Sequence, residues 1–99
     1  MKTEQIKMMI ASIIHEGSGV VYTDEGSGSG GPGFADAETL QDMLDIGAFD
    51  DATQVPMDFN LARSSFAHQC EFDRTTVWIQ IAYGVRSLGY NQIAWICAV

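Results

Sequence analysis

The residues with the clearest chemical potential are carboxylates. Glu38, Asp42 and Asp45 recur at i, i+4 and i+7 within the stretch from Asp36 to Ile46. On a helix that spacing sets three acids in one narrow stripe. Asp36 precedes the stripe, Asp50 and Asp51 follow it, and Asp24 and Glu25 lie upstream. A carboxylate does general acid–base work only when burial or a neighbouring charge shifts its pKa. Acids along an exposed helix face are all ionised, so no catalytic residue is expected among them. Calcium needs an Asp-x-Asp-x-Asp-Gly loop, which Asp45, Asp50 and Asp51 do not supply. Two readings remain: a row of negative charge presented to a basic surface, or a solvated face that keeps a small protein soluble.

Other candidate motifs carry less. His68-x-Cys70 resembles half a metal site, but no second Cys-x-x-Cys or His pair completes four ligands. It reads as a core histidine beside a buried thiol, and no metal or cofactor is expected. Gly-x-Gly-x-x-Gly occurs twice, at Gly26, Gly28 and Gly31 and at Gly28, Gly30 and Gly33. In a run this rich in glycine the pattern arises by default. Asp24 and Glu25 would repel a pyrophosphate, and the chain is too short for a doubly wound domain. The stretch 24–34 is therefore read as a flexible Gly/Ser-rich loop. His15 has no catalytic partner near it in sequence and suits a helix C-terminus. A Ser/His/Asp site using His15 or His68 would have to be assembled in space. The chain is not expected to be an enzyme.

The elements that must position these residues follow from periodicity. Ile6, Met9, Ile10, Ile13 and Ile14 mark an amphipathic helix from Thr3 to Glu16, with Thr3 as N-cap and Gly17 as its left-handed stop. Val20 to Tyr22 reads as a short strand. A second helix runs from Asp36 to Ile46, with Asp36 as N-cap, Leu40, Met43 and Leu44 as its inner face, and Gly47 as its stop. Residues 52–58 read as a connector. From Phe59 to Asp73 two periods compete. Phe59, Ala62, Phe66 and Cys70 fit a helix. Phe66, His68, Cys70 and Phe72 alternate, and a strand over 64–72 is the expectation.

The stretch from Thr75 to Val99 is a β-hairpin, with two β-branched and aromatic runs around Gly89 and Asn91. With Leu88 and Gly89 at the turn, Ile79, Ile81, Tyr83 and Val85 share a face with Ala94, Ile96 and Ala98. Trp78, Ala82, Ile93, Trp95, Cys97 and Val99 take the other. Both faces are apolar. The sequence thus predicts one α+β domain over 1–99: a three- to four-stranded antiparallel sheet, ending in this meander, packed with two short helices. The second sheet face must be covered by connectors, by another subunit as in a homodimer, or by a target.

Charge narrows the function. The net charge is −8 over 99 residues, and no Lys or Arg lies between Lys7 and Arg63. Such a surface repels nucleic acid and anionic membranes, and it lacks the cations that neutralise phosphates. No apolar run is long enough to cross a bilayer. The N-terminus reads as a mature cytosolic start, and Cys70 and Cys97 as buried reduced thiols. The expectation is a small acidic interaction protein that inhibits a basic, nucleic-acid-binding partner as a nucleic-acid mimic. Phage-encoded inhibitors of bacterial defence, anti-CRISPR proteins among them, share this general profile, and no motif here carries a family resemblance. Such a protein would act in the cytoplasm of the host cell. The alternatives are an assembly subunit that homo-oligomerises through its apolar sheet face, or an immunity protein for a basic nuclease toxin.

Overall fold

A computed structural model describes residues 1–23, 33–66, 77–84 and 92–98. Three helices, α1 (Thr3–Glu16), α2 (Ala37–Asp45) and α3 (Phe59–Phe66), accompany five strands. The strands are β1 (Gly19–Thr23), β2 (Gly33–Phe34), β3 (Thr53–Val55), β4 (Trp78–Tyr83) and β5 (Gln92–Ala98). They form one sheet in the order β2-β1-β5-β4-β3, and every pairing is antiparallel. The α+β class and the antiparallel sheet are as the sequence predicts. Among the described residues the sheet has five strands where three to four are expected, and there are three helices where two are expected.

The additional strands come from stretches read as irregular. Residues 33 and 34, assigned to the glycine loop, pair with β1 through Tyr22↔Phe34 and Thr23↔Gly33. Residues 53–55, assigned to a connector, pair with β4 through Thr53↔Ala82 and Val55↔Gln80. Both are very short edge strands, so neither has room to display an alternating pattern.

The strand expected over 64–72 is corrected over its first residues, since α3 runs to Phe66; residues 67–72 lie outside the described segments. Asp58 decides the matter locally. Its Oδ1 accepts the backbone N–H groups of Asn60 and Leu61, both at 3.0 Å, and so caps a helix start. The hairpin register also differs. Trp78 pairs with Cys97 and Ile81 with Ala94, two residues away from the register built on Leu88 and Gly89. A two-residue shift leaves each side chain on its own face, because the strand period is two.

The inner sheet face packs under α1 and α2. Ile6, Ile10 and Ile13 of α1 and Leu40 and Met43 of α2 meet Val21, Ile81, Tyr83, Ala94 and Ile96 in one buried cluster. Phe49 completes it from the turn after α2, with its ring 5.2 Å from that of Tyr83. On the outer face Tyr22 and Trp95 sit opposite each other across β1 and β5, and Ala62 of α3 packs on them with Met57 and Phe34 around it. Chain segments 56–62 therefore cover part of the face for which another subunit was one expected cover.

A buried polar node holds this cover in place. Gln80, 5% exposed, accepts the indole N–H of Trp95 at 3.0 Å and the backbone N–H of Asp58 at 3.1 Å. One side chain thus serves a neighbouring strand and the first residue of the α3 cap. Cys97 is a free, buried thiol among the described residues, and burial pushes its pKa up.

Candidate functional site

The acidic helix is built and held by identifiable contacts. Asp36 is its N-cap: the carboxylate accepts the Thr39 backbone N–H at 2.8 Å. That bond to the charged form lowers the Asp36 pKa. At the other end Gly47 takes the left-handed conformation, φ +78°. Its N–H donates to the Leu44 carbonyl at 3.1 Å, and the Ala48 N–H donates to the Met43 carbonyl at 2.9 Å. These two bonds are a Schellman motif, and Ala48 and Met43 meet in the core beneath it.

Leu40 and Met43 face inward, which turns Glu38, Asp42 and Asp45 to solvent; all three are exposed. Among the described residues no ion pair is formed with any of them. The Gln41 amide donates to the Asp45 carboxylate at 2.9 Å, a neutral contact that leaves the charge in place. The helix supplies about 14 Å of length at its usual rise. Its last turn carries no basic residue, so Asp45 meets the negative end of the helix dipole without compensation.

The remaining acids differ. Asp50 is exposed, but its Oδ1 pairs with the Lys7 ammonium at 2.9 Å, and this partner raises the Lys7 pKa. Lys7 is distant in sequence and reaches the acidic turn because α1 lies against α2. Asp51 is half-buried and engaged within the fold. Asp24 and Glu25 lie outside the described residues. The structure therefore brings Glu38, Asp42 and Asp45 together on one open face, places Asp36 at its N-terminal end in a capping role, and ties Asp50 to α1.

Thr3, expected as the N-cap of α1, has a different task. Lys2 occupies the cap position, and its backbone N–H is accepted by the Gln5 side chain at 2.9 Å. The Thr3 hydroxyl donates instead to the Ala52 carbonyl at 2.7 Å. With Lys7–Asp50, this bond fastens the first turns of α1 to the segment following the acidic helix. Gly17 stops α1 as expected, at φ +63°.

One apolar residue accompanies the acids: Ile46, at the C-cap of α2, is 73% exposed. Sequence reasoning assigned it no task, and its only signal is an isoleucine directly after Asp45. Among the described residues no group of three or more His, Cys, Asp or Glu is arranged to hold a metal ion. No described helix is long and apolar enough to cross a membrane.

No family model matches this chain, and comparison with curated proteins and with solved structures returned no match. The functional reading rests on the geometry alone.

Proposed function

We propose that this protein is a small acidic interaction protein, an inhibitor that occupies a basic, nucleic-acid-binding protein partner by charge complementarity. The observation that carries the reading is the open face of α2. Glu38, Asp42 and Asp45 stand exposed on consecutive turns, and no cation among the described residues pairs with them. Like charges at this spacing repel one another. Asp45 adds an unfavourable dipole contact. Glu38, in the first turn, is favoured by the dipole, but the repulsion within the stripe and the Asp45 contact oppose the helix that carries them. Such a pattern on a helix capped at both ends fits a surface kept for a partner.

In this reading the carboxylates stand in for phosphates in a basic groove, as in phage inhibitors of bacterial defence complexes of the anti-CRISPR type. The protein carries out no reaction and binds no nucleic acid itself. An immunity protein for a basic nuclease toxin uses the same electrostatics and is the neighbouring case. Encounter is steered by long-range attraction, so both association rate and affinity fall with salt.

The test is affinity capture from bacterial lysate at low and high salt, using the wild type and a Glu38→Lys, Asp42→Lys, Asp45→Lys triple variant. A nucleic-acid-binding protein held at low salt, released at high salt and lost with the triple variant supports the proposal. Capture indifferent to both salt and charge reversal overturns it.

A further inference from the structure

We draw no further inference here: the strongest candidate, the outer sheet face where Val20, Trp78 and Ile93 stay partly open beside α3, carries nothing because nothing in the structure shows what covers it.

Discussion

Single residues in this protein often serve two elements at once. Gln80 is the clearest example, because its one carbonyl oxygen accepts from both Trp95 and the Asp58 backbone. Gln80→Met keeps length and flexibility but removes that acceptor. Losing a buried acceptor costs about 1–3 kcal/mol. Chemical denaturation should therefore show that loss, with a changed near-ultraviolet signal from tryptophan; unchanged stability would mean that the node contributes nothing net. Gly47 is the second example. Its φ is +78°, and an added Cβ would lie 2.8 Å from Asp50 Oδ2. Gly47→Ala therefore strains the backbone and pushes on the carboxylate that holds Lys7. We expect a loss of about 1 kcal/mol or more, read from denaturant midpoints. Gly17→Ala is the comparison, since its φ is +63° but nothing lies within 4 Å of the added atom. It should cost less.

At the scale of the element, α2 combines a sound N-terminus with a charge pattern that does not favour it. Asp36 is the favourable part. Its pKa is lowered in the folded state by the Thr39 N–H. A lowered carboxylate pKa contributes stability above its unfolded value, near 3.9, and that contribution is lost as pH falls through the lower folded value. Asn caps nearly as well as Asp but does not titrate. Asp36→Asn should therefore change stability little near pH 7 and flatten the acid limb of the stability profile below about pH 4. Thermal unfolding from pH 6 to pH 2.5 measures this. Parallel acid limbs for the two proteins would show that the cap is not a source of the slope. The same helix shows what a short element conceals in sequence. Its two stop bonds depend on Gly47 and Ala48, whereas α3 depends on Asp58, which precedes a stretch with two competing periods. The Asp58 cap starts a helix that runs to Phe66, and the alternating positions after Phe66 lie outside the described residues.

The whole molecule sets one sheet between two unequal covers. Two helices seal the inner face, while Met57, Phe34 and α3 cover the centre of the outer face. Val20 remains 41% exposed at its side. Self-association through that face and partner binding through α2 make opposite predictions in solution. If the acidic face is the working surface, sedimentation should give one mass across protein concentrations, and the triple Lys variant should stay folded with the same mass. A mass that rises with concentration, with no partner captured from lysate, would favour the assembly subunit instead. An Asp42→Asn, Asp45→Asn variant, which keeps Glu38 in the first turn, should also be at least as stable as the wild type at low salt, because it removes like-charge repulsion and a poor dipole contact. Added salt should narrow that difference by screening.

Periodicity and caps, both local, determined much of this protein. The two amphipathic helices, the Asp36 cap, the glycine stops at Gly17 and Gly47, and the division of the hairpin into two faces were all legible. Each depends on neighbours within a few residues or on a strict period, and a register shift of two leaves the faces intact. The acidic stripe was legible for the same reason, since helical spacing alone aligns Glu38, Asp42 and Asp45. Only the tertiary structure decided the strand order and the short edge strands at 33–34 and 53–55, whose pairing partners lie far along the chain. It also decided which acids remain open. Lys7 meets Asp50 because α1 and α2 share one sheet face, and no local pattern encodes a contact made across 43 positions.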